Sequence, residues 1–283
     1  MMKLNRQKEI WVIGGDRRYA YAADYLRRHG KRVKTYGVPG MLNEADSLEE
    51  ALERADVMLL PLFPLEGEYI RVGAETFPAA LLPLVAPEHA LVVAGTLPEE
   101  LIAWYHEKGI HFEGYMEQEH YQIANAAVTA EGAVAVGIDA LEQTLFGAKV
   151  LVVGYGRIGK FLVEKLRAMG AEVTVSARKP EHLAEIEARG MRSVSTGVYE
   201  SGLGEYNVIY NTVPAAVFTE QQMKTVSKHC LLIELASGKG GFPSNADVIR
   251  AQGLPGKTAP KTAGEILGKT VLSCISLEGG VME

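Results

Sequence analysis

Residues 149–170, KVLVVGYGRIGKFLVEKLRAMG, constrain the fold of this chain more tightly than any other stretch. An apolar run of strand length meets Gly154-Tyr155-Gly156-Arg157-Ile158-Gly159, and a helix of apolar periodicity follows. A GxGxxG string alone is a weak signal. Between a strand and a helix it specifies the first βα turn of a Rossmann dinucleotide-binding fold. Each glycine has its own reason. Gly154 permits the tight turn, Gly156 lets the backbone approach a pyrophosphate, and Gly159 lets the helix pack against the strand. The helix N-terminus then faces the anion.

The next strand, Val173-Thr174-Val175, runs into Ser176, Ala177, Arg178 and Lys179. A site for NAD places a carboxylate at this point to bind the ribose hydroxyls, and that carboxylate repels a 2′-phosphate. Here Ser176 can donate to such a phosphate, and Arg178 and Lys179 can neutralise it, so the stretch favours NADP over NAD. The third strand ends in Asn211-Thr212-Val213-Pro214. A strand that turns polar and breaks at proline marks the ligand-binding edge of the sheet. Asn211 and Thr212 are placed to touch the nicotinamide ribose, and Val213 and Pro214 to pack on the ring. The fourth ends Glu234-Leu235-Ala236-Ser237, followed by Gly238-Lys239-Gly240-Gly241.

Elsewhere short apolar strands alternate with longer helical stretches, the pattern of a parallel α/β sheet. Strands are expected at 9–15, 32–38, 56–62 and 90–96, with a short edge strand near HFEGY. Helices are expected at 17–30, 47–55 and 98–109. Ser47 is the expected N-cap of the second, with Glu50 completing a capping box. From Glu117 to Phe146 a long Ala-, Val- and Gly-rich stretch reads as a connector helix, expected to break near Val128–Thr129, with Thr129 and Gly132 marking the break. A second α/β series follows, and GKTVLSCISL (268–277) reads as a strand or a helix. The fold class is α/β, with two open parallel-sheet domains in series. The N-terminal domain spans 1–120. The Rossmann domain with its connector spans 121–283, and residues from about 266 are expected to pack back on the first domain.

Composition narrows the function. The chain has 283 residues and a net charge of −6, against the basic surplus of a nucleic-acid binder. The two cysteines, Cys230 and Cys274, are too few for a disulfide framework and fit no zinc spacing, so they read as small buried hydrophobes in a reducing cytoplasm. MMKLNRQKEIWVIGG has no apolar h-region, and ALLPLVAPEHALVVAG is interrupted by Pro83, Pro87, Glu88 and His89, so neither a signal peptide nor a membrane span is expected. The two-domain plan resembles that of 2-hydroxy-acid dehydrogenases, which need a late histidine as acid/base and an arginine for the substrate carboxylate. Here the last histidine is His229, before its strand, and Ser237-Gly238-Lys239 stands where the arginine should. Plain 2-hydroxy-acid chemistry is therefore not expected.

GGDRRYAYAADYLRRHG, NAAVTAEGA, GYGRIG, YNTVP, IELASGKGG and GLPGKTAPKTAGEIL together resemble the A subunits of dipicolinate synthases, across nearly the whole chain. The resemblance implies a cytoplasmic enzyme subunit in the mother cell of a sporulating bacterium. It implies oxidation of a dihydrodipicolinate-type intermediate from the lysine pathway to pyridine-2,6-dicarboxylate. It also implies a partner, a flavoprotein-like B subunit. The apolar connector is the reason to expect a homodimer. Aromatisation removes a hydride and a proton, and the product is a dianion, so the site needs a base and fixed cations. Lys257 and Lys261 flank Thr258-Ala259-Pro260, before a helix expected near Thr262. Lys239 and Arg17 are further substrate-binding candidates, Arg17 and Arg18 following the Gly14-Gly15-Asp16 turn. His120, beside Tyr121, and Glu131 are the base candidates, with Asp16 third and Lys257 also placed among the catalytic groups. Two alternatives stay open. One is an NADPH-sensing regulatory subunit with no chemistry of its own. The other is a shikimate-dehydrogenase-like oxidoreductase, suggested by the Asn-Thr-Val-Pro turn.

Overall fold

The computed structural model describes residues 8–199 and 202–280, so most of the polar N-terminal stretch and the last three residues lie outside the described part. The chain forms two compact units, Met1–Asn125 with Ala259–Glu283, and Ala126–Thr258. The sequence-based division places these boundaries near 120 and 266.

The first unit runs β1 (Glu9–Ile13), α1 (Arg17–Arg28), β2 (Arg32–Tyr36), α2 (Leu48–Arg54), β3 (Val57–Leu59), β4 (Leu65–Glu66), β5 (Tyr69–Val72), β6 (Glu75–Pro78), α3 (Leu82–Val85), β7 (Leu91–Ala94), α4 (Glu99–Glu107), β8 (His111–Gly114) and the start of α5 (Glu119–Ala140). Five strands form a parallel sheet in the order β2-β1-β3-β7-β8. Successive residues of a strand point to opposite faces, and both faces here are covered. Trp11, Met58 and Val92 meet α2 and Tyr105 of α4. Ile10, Val57 and Leu91 meet Tyr19, Ala22 and Leu26 of α1, together with Leu267 and Val271 from the C-terminal end of the chain.

β4, β5 and β6 make a separate antiparallel sheet that the sequence reading leaves unassigned. Ser47 caps α2 by accepting from the Glu50 amide, but the Glu50 carboxylate returns to the Asp46 amide, one residue earlier than a capping box requires.

The second unit continues from α5 through β9 (Lys149–Val153), α6 (Arg157–Ala168), β10 (Glu172–Ala177), α7 (Pro180–Ala188), β11 (Arg192–Ser195), β12 (Val208–Asn211), α8 (Glu220–Met223), β13 (Leu231–Glu234), β14 (Ile249–Arg250) and α9 (Leu254–Thr258). Its six parallel strands take the order β11-β10-β9-β12-β13-β14. The order reverses between β9 and β12, and ligands of open α/β sheets bind outside the carboxyl ends of strands at such a point.

One local expectation is corrected, one open alternative is decided and one helix start is refined. The connector does not break: α5 is one helix from Glu119 to Ala140. Gly132 and Gly137 are contact points instead, since a Cβ at Gly132 would meet Leu254 and Thr258, and one at Gly137 would meet the Tyr210 hydroxyl. By length and composition α5 could cross a membrane, but Ala130, Ala133 and Val134 are buried in the core of the second unit. The segment 268–277 is helical within α10 (Pro260–Gly280), which starts at Pro260 rather than near Thr262. α10 belongs to the first unit, where Gly264 faces the Arg18 carbonyl and Gly268 the Tyr25 ring of α1.

Candidate functional site

The switch point of the second unit is a cleft of about 670 Å³ at the ends of β9, β10 and β12. Gly154, Tyr155 and Gly156 form its floor, Arg178 and Lys179 one wall, and Thr212, Val213 and Pro214 another. The sequence-predicted turn residues thus converge. Gly154 has φ +101°, in the region that favours glycine, and a Cβ there would strike the Thr212 hydroxyl and Val213. A Cβ at Gly159 would strike the Gly154 carbonyl, so this glycine sets the approach of α6 to the turn. Around Gly156 the space is open.

The residues fit a dinucleotide, and the N-terminus of α6 carries that conclusion. Its N-cap is Gly156, and no side chain caps it. The first-turn amides of a helix have no partners within the helix and bind phosphate well. In α1, the equivalent helix of the first unit, Asp16 accepts from the Arg18 amide and takes that place. Arg157 and Ile158 begin α6, Arg157 exposed and Ile158 partly buried against the core of the second unit.

Two predicted contacts lie beneath the surface. Ser176 is fully buried, its hydroxyl 2.8 Å from that of Thr196 and 3.5 Å from that of Tyr199. Thr196, not Ser176, lines the cleft. Asn211 is also fully buried and braces the turn, donating to the Val213 carbonyl at 2.8 Å and accepting from the Val213 amide at 3.1 Å. Its amide also donates at 2.8 Å to Glu234, a buried carboxylate that accepts from the Ala236 and Gly241 amides as well. This buried set ties the ends of β12 and β13 to the glycine loop that carries Lys239.

The sequence reading missed Thr196, Gly197, His182, Phe218 and Gln222, all of which line the cleft. The short alternation Arg192-Ser193-Val194-Ser195 signalled the edge strand β11 that delivers the first two. His182 meets Tyr155 edge-on with centroids 5.8 Å apart. No Asp or Glu lines this cleft among the described residues.

None of the remaining candidates lines this cleft. Lys239 and Lys257 are exposed in the second unit, and Arg17, His120 and Lys261 in the first. The Glu131 side chain is 78% exposed and pairs with Lys165 at 3.6 Å. Asp16 is held by Arg18 through the guanidinium and the amide. Burial works against ionisation of Asp16, but these hydrogen bonds prevail and keep its pKa below the usual value.

Residues 119–251 match the D-isomer specific 2-hydroxyacid dehydrogenase NAD-binding domain. Residues 9–116 match the N-terminal domain of the dipicolinate synthase A subunit. The chain therefore has two parallel-sheet α/β units, the second holding a Rossmann-type NAD-binding domain similar to that of 2-hydroxyacid dehydrogenases. In sequence and fold it is similar to the A subunits of dipicolinate synthases. It is 31% identical to the one from Bacillus subtilis (strain 168) over 161 residues, which cover 55% of this chain and 54% of that one. The aligned stretch thus spans about half of that relative's length. The crystal structure of the A subunit from Bacillus halodurans superposes with a TM-score of 0.82 at 26% identity, over 95% of this chain and 97% of the other. The crystal structure of its Bacillus subtilis counterpart gives the same score and identity over 98% of each.

Proposed function

We propose that the chain is an NADP-dependent oxidoreductase subunit that aromatises a dihydrodipicolinate-type acid to pyridine-2,6-dicarboxylate, as part of a dipicolinate synthase with a separate B subunit. The observation that carries the cofactor assignment is the cleft lining at the end of β10, where Arg178, Lys179 and His182 stand and, among the described residues, no Asp or Glu does. A 2′-phosphate is attracted there, and nothing replaces the acid that grips the ribose diol of NAD. When bound, the oxidised nicotinamide accepts the hydride.

The chain's residues supply the rest. Gly156 and the uncapped start of α6 would hold the pyrophosphate, and Val213 and Pro214 would offer the apolar surface for the nicotinamide. His120 and Glu131 are the base candidates for the departing proton. Lys257, Lys261, Lys239 and Arg17 are the cations available to the two carboxylates, while Glu131, paired with Lys165, is the least suited base. The resemblance to relatives from Bacillus supports the dicarboxylate, a role in sporulating cells and the partner subunit. A second reading, in which the chain binds NADPH as a sensor and the partner performs the chemistry, is favoured because none of these groups lines the cleft of the second unit.

Single-turnover oxidation of freshly generated dihydrodipicolinate, with this chain alone and NADP⁺ and then NAD⁺, decides between them. Matched appearance of pyridine dicarboxylate and NADPH is expected. Product without reduced nucleotide, or none until a flavin-bearing partner is added, leaves only the sensor. Replacing both cations, Arg178→Gln with Lys179→Gln, is expected to weaken NADP⁺ binding by roughly 10- to 100-fold, with little change for NAD⁺, because charge-assisted contacts to the phosphate disappear. Equal losses for the two nucleotides in fluorescence titration would remove the phosphate from this wall.

A further inference from the structure

Residues 212–219, which follow β12, belong to no helix or strand, yet Thr212, Val213, Pro214, Val217 and Phe218 line the dinucleotide cleft. Ordering such a stretch costs conformational entropy, and a ligand that has to order it binds less tightly by that amount. Two hydrogen-bonded routes hold the stretch in place, and both lead to Glu234.

The first route runs through Asn211. Glu234 Oε1 accepts from the Asn211 side-chain amide at 2.8 Å, and Asn211 holds the Val213 carbonyl and amide at 2.8 and 3.1 Å. The second runs through the glycine loop. Glu234 Oε2 accepts from the Gly241 amide at 2.7 Å, and the Gly241 carbonyl accepts from the Val217 and Phe218 amides at 3.1 and 3.2 Å. The Ala236 amide donates to Oε1 at 3.0 Å. Glu234 and Asn211 are fully buried, so bulk water does not compete for these bonds. The loop must be glycine to come this close. A Cβ at Gly240 would strike the Glu234 carboxylate, and one at Gly241 would strike the Asn211 and Val217 side chains. Phe218 also stacks on Phe242, with ring centroids 4.8 Å apart, and on Tyr199 at 5.3 Å.

These three partners of Glu234 are all N–H donors. An ionised carboxylate accepts from each of them, whereas a carboxamide of the same shape sets an NH2 against a donor. We infer that Glu234 is the positioning residue of the cleft, its carboxylate pre-forming the linings at 213–214 and 217–218 against which a dinucleotide docks. Glu234 does not line the cleft itself and acts through Asn211 and Gly241. The inference rests on the proposed function only for which nucleotide is bound.

The test is nucleotide titration of the full chain, well below its melting temperature, with amide hydrogen exchange on the same samples. Glu234→Gln breaks one of the two routes. Its NADP⁺ affinity is expected to fall about 10- to 100-fold, the usual effect of losing a hydrogen bond to a charged group. Exchange at residues 213, 217, 218 and 241 is expected to quicken. Val208→Ala, at the other end of β12, removes buried core from the same unit. It is expected to lower the melting temperature and to leave the affinity and those exchange rates unchanged.

Wild-type NADP⁺ affinity in Glu234→Gln, with only the melting temperature lowered, makes the residue merely structural and overturns the inference. If that variant does not fold, the wild-type chain decides. Its amides at 217, 218 and 241 are expected to be protected before any nucleotide is added, and protection that arises only with nucleotide overturns the pre-formed lining. NAD⁺ is titrated alongside. A chain that prefers NAD⁺ overturns the phosphate assignment, and Glu234→Gln is then scored with NAD⁺. A chain that binds neither nucleotide overturns both.

Discussion

Glycine illustrates how a single residue type acts differently at neighbouring positions of one motif. Gly156 faces open space, whereas a Cβ at Gly159 has the Gly154 carbonyl in its way. Gly156→Ala is therefore expected to leave the melting temperature unchanged while abolishing most of the nucleotide affinity, since only the ligand meets the new methyl. Gly159→Ala is expected to lose both, with a stability cost of about 1–3 kcal/mol from overpacking of α6 on the turn. Thermal melts with and without NADP⁺ separate the two. Both glycines were legible as a motif because spacing alone encodes them. Ser176 was not: a hydroxyl at a strand end reads the same whether it faces a ligand or, as here, Thr196 and Tyr199.

Elements show the same division. α5 and α10 each carry glycines that local propensity counts against helix. In both cases the glycine is a close-approach point that a neighbouring element fills. Gly264 and Gly268, four residues apart on α10, let it meet α1 along the Arg18–Tyr25 face. Enlarging this face, as in Gly268→Val, is expected to destabilise the first unit by about 1–3 kcal/mol, measured as a lower urea midpoint. Removing the exposed Arg28–Glu265 pair between the same helices is expected to cost less than about 1 kcal/mol. The β4–β6 sheet escaped the sequence reading because its strands have two to four residues and a mixed burial pattern, too short for a period to register.

At the scale of the whole molecule, stability depends on titrating groups at both ends of the pH range. Glu44 is partly buried, which opposes ionisation. Lys34, the Thr35 amide and Arg27 prevail and hold its pKa below the usual value, and Asp16 behaves likewise with Arg18. A carboxylate with a depressed folded pKa contributes stability above its unfolded pKa and loses it as pH falls through the folded one. Stability should therefore decline in acid, below the ordinary carboxylate range. Burial pushes the Cys230 thiol up to about 12 and Cys274 up to about 11, and burial with the Glu75 carboxylate raises Tyr36 to about 12. These acids ionise first in the unfolded chain, so stability should also decline as pH rises above the ordinary thiol range. Urea unfolding across pH is expected to trace a dome, and Glu44→Gln to flatten its acid side. An unchanged acid limb in that variant would remove Glu44 from the account.

The sequence by itself determined the alternation of strands and helices, the dinucleotide turn and the resemblance to the A subunits of dipicolinate synthases. All of these are written in local spacing or contiguous motifs. Tertiary structure decided which polar groups face a ligand and which brace the fold, as with Ser176, Asn211 and Thr196. It also decided that Ala259–Glu283 complete the first unit, and that Tyr19 and Tyr115, about a hundred positions apart, join their hydroxyls. Burial and pairing depend on which elements pack together, and that is a property of distant segments rather than of neighbours in the chain.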